Sequence, residues 1–223
     1  MQRAGLADRD PKSSRLPAWI LFVRTGLKQE RELADAMLQL LRQLGLPLLD
    51  RKGAPLIDRL IPRESPLARP NSFSGTFGTG PFPLHTDTAN WLKPARYVAL
   101  GAARASSDAA RTTITAVPPM DHVTFEHVAA GVFVVASGRR SFLGGICQKN
   151  RSFCRFDPLC MRPLDRPSEA AMRFFEKLIS GQQSTTLEWS VGDVVILDNW
   201  SVLHGRSAAT GDRLLLRLYG EEQ

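Results

Sequence analysis

The sequence predicts a mainly β fold with peripheral helices, a jelly-roll barrel, and three observations carry that expectation. Short β-prone runs bounded by turn residues dominate the chain from Tyr97 onward. Helical spacing of apolar residues is well developed only over 29–44 and 168–180, with a shorter helix over 120–129. Strands and helices do not alternate regularly and nothing repeats, which argues against a doubly wound sheet and for an antiparallel barrel with helices packed outside.

At 223 residues the chain has the length of one domain, read as 16–223, and can bury a sizeable core without disulfides. Residues 1–15 lack periodicity and include Pro11, Ser13 and Ser14, so they read as a tail. A first strand follows over 16–24. In the helix 29–44, Leu33, Met37, Leu40, Leu41 and Leu44 make a packing face, and Gly45 and Pro47 stop it. Periodicity then fades. Pro62, Pro66 and Pro70 lead into a Ser- and Gly-rich run, so 62–80 reads as a long loop just before His85, either a lid or a surface excursion. Strands are expected over 97–102 and 112–117 around an Ala/Ser-rich loop, then over 132–136, and over 140–147 and 152–157 joined by a turn at 148–150. Ser168 is the expected cap of the helix 168–180 and Gly181 its stop. Strands over 186–190, 193–197 and 213–219 complete the chain.

The 29 Lys+Arg outnumber the 22 Asp+Glu, giving a formal charge of +7. The basic residues are scattered and not interleaved with aromatics, which favours small anionic ligands over nucleic acid. No apolar run is long enough to span a bilayer or to serve as a secretory signal. Cys147, Cys154 and Cys160 are odd in number and fall in no zinc-like spacing, which suits a reducing, cytoplasmic compartment.

The chemistry concentrates in two places. His85-Thr86-Asp87 follows the loop, and side chains two apart on a strand face the same way. His204 follows the apolar run Val194-Val195-Ile196-Leu197, which places it near the end of a core strand. Two histidines and a carboxylate on one face of a metal, with other positions open, are what a non-haem Fe(II) oxygenase needs. The plainer alternatives are a surface His-Asp pair and a packed histidine. Arg213 and Arg217, four apart in a β segment, share a face while Leu214, Leu216 and Leu218 take the other. Such guanidiniums suit carboxylates if they point inward, and are surface arginines if they do not. His122 and His127 are given no metal role.

These motifs, in this order from about residue 82 to residue 219, resemble the Fe(II)/2-oxoglutarate dioxygenases of the taurine dioxygenase (TauD/TfdA-like) family. The resemblance implies a double-stranded β-helix of the cupin-like kind, with His85, Asp87 and His204 holding iron. It implies that Arg213 grips the distal carboxylate of 2-oxoglutarate, helped by the hydroxyl of Thr113, or of Thr112 one register position away. It also implies that Arg217 meets an acidic group of the substrate. Arg155-Phe156-Asp157-Pro158 and the residues after it are similar to the branch containing clavaminate synthase and the amino-acid hydroxylases. The implied activity consumes O2 and 2-oxoglutarate, releases succinate and CO2, and hydroxylates an unactivated C–H of a small amino-acid-like or natural-product substrate. Asp87 as a ligand implies hydroxylation over halogenation. Two other readings stay open: a metal- and 2-oxoglutarate-sensing barrel without turnover, and an oxygenase acting on a carrier-bound or macromolecular substrate.

Overall fold

The computed structural model describes residues 20–49, 51, 53–70, 72–148 and 153–221. The expected tail, 1–15, and most of the expected turn at 148–150 lie outside them. In chain order the elements are β1 (Ile20–Arg24), α1 (Glu30–Gln43), β2 (Asp58–Leu60), α2 (Phe73–Phe77), β3 (Phe82–His85), β4 (Tyr97–Ala105), β5 (Thr112–Ala116), α3 (His122–Ala129), β6 (Phe133–Ser137), β7 (Arg140–Gly144), β8 (Met161–Pro163), α4 (Arg166–Ser180), β9 (Ser184–Leu187), β10 (Asp193–Asp198), β11 (Val202–Arg206) and β12 (Arg213–Gly220).

A five-stranded sheet, β1-β10-β4-β12-β2, is joined by a four-stranded sheet, β3-β11-β5-β9, and a small sheet, β7-β6-β8. Among the described residues every strand pair is antiparallel. Val98 and Leu100 of β4, Val195 and Leu197 of β10 and Leu215 of β12 meet Ile114 of β5 and Val202 of β11 in one buried cluster. The two larger sheets therefore face each other, and the architecture is the double-stranded β-helix.

Both outer faces are covered. Leu214, Leu216 and Leu218 of β12 pack with Leu33, Met37 and Leu41 of α1. Burying those three α1 side chains contributes about 5–9 kcal/mol. Gly101 of β4 lets the helix settle so closely, since a Cβ there would stand 2.4 Å from Met37 Sδ. On the opposite side Leu203 of β11 joins Phe125 and Val128 of α3, Phe175 and Ile179 of α4, and Phe133 and Val135 of β6. Because β12 alternates, Arg213, Leu215, Arg217 and Tyr219 share one face, which is the interior, and this decides between the inward and surface orientations that the sequence left open.

Several local expectations are corrected. Asp165, not Ser168, caps α4 by accepting from Ser168 N at 2.9 Å, with a proline in the first turn. Ser168 is buried and its Oγ accepts instead from Val132 N at 2.9 Å. The described part of 152–157 is not a strand. It makes only the isolated bridge between Cys147 and Cys154, and Asp157 Oδ1 then turns the chain by accepting from Leu159 N at 2.7 Å. β4 runs on through the alanines read as loop, because small side chains suit its buried position. His204 lies in a strand of its own, β11, since Asp198 turns the chain after β10, its carbonyl accepting from Ser201 N at 2.9 Å. Among the described residues no helix is long and apolar enough to cross a membrane.

Candidate metal centre and anion pocket

His85 closes β3, and the register sets it directly opposite His204 of β11, with ring centroids 4.6 Å apart. The strands approach so closely because residue 205 is glycine: a Cβ there would lie 2.8 Å from Phe82 O. Asp87 comes two residues after β3 ends. His85, Asp87 and His204 are all buried and offer ligand atoms within 4.8 Å of one another, and among the described residues they are the only such group. His122 and His127 lie on α3 and take no part.

The surroundings aim these three groups. His85 Nδ1 stands 2.9 Å from Pro83 O, and donating there leaves Nε2 bare for an ion. Asn199, fully buried, holds the backbone of Asp87 from both sides. Its Oδ1 accepts from Asp87 N at 2.9 Å, while its Nδ2 donates to Asp87 O at 3.0 Å and to Ala95 O at 2.8 Å. Thr88 adopts φ 56°, the one positive φ outside glycine among the described residues. For a β-branched residue this costs about 1–3 kcal/mol. Its hydroxyl offsets part of that by donating to Asp87 O at 2.6 Å and accepting from Ala95 N at 2.8 Å. Thr86, between the ligands, exchanges bonds with Phe156: its N donates to Phe156 O at 2.7 Å and its Oγ1 accepts from Phe156 N at 3.1 Å.

The donor set fits a cation. Asp87 Oδ1 accepts from Arg217 Nη1 at 2.8 Å, but Oδ2 is buried with no hydrogen-bond partner among the described residues. A carboxylate oxygen so placed is costly unless something positive meets it. It faces His204 Nε2 at 3.7 Å. Two ligands each about 2.1 Å from one ion can stand up to about 4.2 Å apart, so that gap accepts a metal. Burial raises the Asp87 carboxyl, but the charges around it, Arg217 foremost, outweigh that and hold the group below the usual carboxylate range. Burial, with His85 adding to it, pushes the His204 imidazole down to about 3, so this ring is neutral and able to ligate. Two imidazoles and one carboxylate oxygen suit Fe(II) with open positions.

Arg217, expected to reach a substrate's acid, is instead held between two carboxylates. Its Nε and Nη2 donate to Asp58 Oδ2 at 3.2 and 3.0 Å, and its Nη1 donates to Asp87. Asp58 in turn accepts from Arg51 Nη1 and Nη2, each at 3.0 Å. Burial opposes the charge on Arg217, but Asp87, Tyr219 and Asp58 raise its pKa above the ordinary guanidinium value.

Arg213 is the opposite case. It is buried, its Nη1 donates to Ala110 O at 2.8 Å, and among the described residues its Nε has no partner and no salt bridge reaches it. Burial and then Arg206 push it down to about 10. An uncompensated cation on the interior face is a seat for an anion. Arg206, which sequence reasoning left unassigned, shares that face two residues beyond His204. Its Nη2 donates to Gly78 O at 2.8 Å and Gly80 O at 2.6 Å, and its guanidinium lies 3.6 Å from the Phe82 ring centroid. It thereby latches the end of 62–80 to β11. Phe73 of α2 adds a second hold, its ring 4.1 Å from that of His85.

Strand register separates the two threonines. Thr112 pairs with Arg206 and Ile114 with His204, so Thr112 shares their face. Its Oγ1 accepts from Trp189 Nε1 at 2.9 Å. Thr113 pairs with Gly205 and faces away from the ligands, contrary to the expectation that preferred it.

Residues 107–219 match the family model described as taurine catabolism dioxygenase TauD, TfdA family. No curated protein matches by sequence. Solved structures share the fold. An asparagine oxygenase, in complex with Fe(II), a 3-hydroxyasparagine and succinate, is 20% identical with a TM-score of 0.60 over 78% of this chain and 59% of its own. The non-heme iron oxygenase OrfP, in complex with Fe, succinate and a 3-hydroxyarginine, is 16% identical with a TM-score of 0.71 over 92% of this chain and 77% of its own. PvcB, an Fe, alpha-ketoglutarate dependent oxygenase from an isonitrile synthetic pathway, is 18% identical with a TM-score of 0.62 over 92% and 76%. The chain thus spans about three-fifths of the length of the asparagine oxygenase, 59%. A matched model over half of the chain, on a double-stranded β-helix that sets two histidines and an aspartate around one point, leads to one assignment: the chain belongs to the taurine catabolism dioxygenase TauD, TfdA family.

Proposed function

We propose that this protein is an Fe(II)- and 2-oxoglutarate-dependent oxygenase that hydroxylates a C–H bond of a small amino-acid-like substrate. The observation that carries the reading is the orphaned Asp87 Oδ2 facing His204 Nε2, with the uncompensated Arg213 on the same interior. His85, Asp87 and His204 hold the iron. Arg213 takes the distal carboxylate of 2-oxoglutarate with Thr112 beside it, in place of Thr113. Iron, when bound, supplies O2 activation coupled to decarboxylation of 2-oxoglutarate to succinate and CO2.

The chain's own part is geometry and charge. Arg217 occupies one oxygen of Asp87, so the carboxylate offers a single atom to the metal and leaves positions open. Asn199 and Thr88 keep the carboxylate aimed. Arg206 and Phe73 keep 62–80 over His85, where it acts as a lid excluding water. The relatives solved with hydroxylated asparagine and arginine support an amino-acid substrate. Residues 16–223 act as one catalytic unit. Three cysteines, odd in number and in no zinc-like spacing, support a reducing, cytoplasmic setting, and scattered basic residues support a small-molecule partner over nucleic acid.

The test is an anaerobic titration of metal-free protein with Fe(II) and then 2-oxoglutarate, alongside His204→Ala. A visible charge-transfer band in the parent that vanishes in the variant is expected. Folded protein that binds iron yet shows no band overturns the reading.

A further inference from the structure

Cys147 and Cys154 stand opposite each other in an isolated antiparallel bridge. Gln148 N donates to Phe153 O at 3.2 Å and Arg155 N to Ile146 O at 2.6 Å, so backbone bonds flank the pair and none joins it. This is the non-hydrogen-bonded position of an antiparallel ladder, where Cα atoms approach to about 4.5 Å and side chains lean together. Disulfides span Cα separations of about 4.4–6.8 Å, so this backbone can be bridged as it stands. The side chains already meet, with Sγ atoms 2.9 Å apart. That is closer than the separation of about 3.5–4.0 Å at which even smaller carbon atoms rest.

The pair can also be reached. A cavity of about 140 Å³ lies against it, lined by Pro118, Met120, Phe125, Phe153 and the two cysteines. A water-sized molecule needs about 10–15 Å³ by the same measure, so a peroxide reaches the sulfurs without unfolding. Cys154 is partly exposed whereas Cys147 is buried.

We propose that Cys147 and Cys154 form a redox modification site, closing to a reversible cross-strand disulfide on exposure to a peroxide. The more open sulfur, as the Cys154 thiolate, attacks one peroxide oxygen: an S–O bond forms, the O–O bond breaks, and hydroxide leaves to become water. The Cys147 sulfur then attacks the Cys154 sulfenic acid, an S–S bond forms, the S–O bond breaks, and a second water leaves. In sum two thiols and one hydrogen peroxide give one disulfide and two waters, each sulfur losing one electron and the peroxide gaining two. A dithiol reductant reverses it. Cys160 stands outside the pair, its thiol pushed up by burial and by Asp157 and so held in its unreactive form. The bridge fixes the stretch that continues to Phe156, whose backbone holds Thr86 between two metal ligands.

The test uses full-length, metal-free protein, so its outcome is independent of the oxygenase reading. After brief treatment with stoichiometric hydrogen peroxide, thiols are alkylated and the protein is cut with trypsin, which cleaves after Lys149 and Arg151 and separates the two cysteines. The expected product is a pair of peptides joined through Cys147 and Cys154, lighter by two hydrogens than their sum, with Cys160 alkylated and dithiothreitol restoring both thiols. Cys147→Ser and Cys154→Ser each abolish the product and Cys160→Ser retains it. A bridge that includes Cys160, a sulfinic acid at Cys154 beside alkylated Cys147, or three alkylated cysteines after treatment overturns the proposal.

Discussion

Asn199→Ala tests whether the aim of the candidate ligand carboxylate, Asp87, is built by one buried amide. In the folded chain this side chain satisfies Asp87 N, Asp87 O and Ala95 O, at 2.9, 3.0 and 2.8 Å. Asp87 O keeps a second donor, Thr88 Oγ1 at 2.6 Å, so the substitution orphans two groups and not three. Each buried orphan costs about 1–3 kcal/mol, which sums to about 2–6 kcal/mol. Against a usual total of about 5–15 kcal/mol this is a large share. Urea unfolding of the metal-free variant at unchanged m-value reads it directly. Iron affinity, measured where the variant is still folded, is expected to weaken about 10–100-fold because the loss sits behind a ligand. Asn199→Asp separates the parts: it keeps volume and an acceptor for Asp87 N but loses both donors, and should be no less damaging. A cost below about 1 kcal/mol in Asn199→Ala with undiminished iron affinity would refute the clamp.

Three further outcomes are expected. Thr112→Val should raise the KM for 2-oxoglutarate about tenfold or more by removing a hydroxyl beside an anion, while Thr113→Val leaves it unchanged; equal effects would contradict the register argument. Arg213→Lys should raise the same KM about 30-fold, since lysine keeps the charge without the planar fork, and a silent substitution in steady-state assays would remove Arg213 from the site. Arg217→Gln should cost about 3–5 kcal/mol in denaturant unfolding by leaving the buried Asp87 without its cation, while Asp58 keeps Arg51, and should weaken iron binding as well; loss of substrate affinity alone would restore the role expected from sequence.

The candidate group of two histidines and an aspartate was legible because it is local where it matters: His85 and Asp87 are two apart, and His204 follows an apolar run that reads as core. That Arg213 and Arg217 share a face was legible from the leucines between them, but which face is the interior was decided only by the packing of α1 on Leu214, Leu216 and Leu218. What sets the carboxylate was not legible. Asn199 reaches Asp87 across 112 positions and Asp58 reaches Arg217 across 159, and no local pattern encodes such pairings. Thr113 was put forward by the family resemblance, with Thr112 one register position away; a single-residue slip reverses every side chain, so parity is decided only when β5 pairs with β11. Arg206 carried a usable signal, its place two residues after His204 on one strand. Its carbonyl partners at Gly78 and Gly80 lie on a loop whose path no periodicity describes.

The line of alternating charge from Arg51 through Asp58 and Arg217 to Asp87 has a consequence for local opening. Asp58 sits on a three-residue strand at the edge of the five-stranded sheet, where so few ladder bonds leave a segment free to detach. A divalent cation on Asp87 Oδ2 would take up part of that carboxylate's charge while Oδ1 stays bonded to Arg217, which leaves Asp58 as the main counter-charge. Loading the metal therefore strengthens the hold on the edge strand, and by reciprocity a docked edge strand tightens the metal. Amide hydrogens of residues 58–60 should then exchange more slowly in metal-loaded than in metal-free protein, making a distant strip of backbone a reporter of occupancy at the centre.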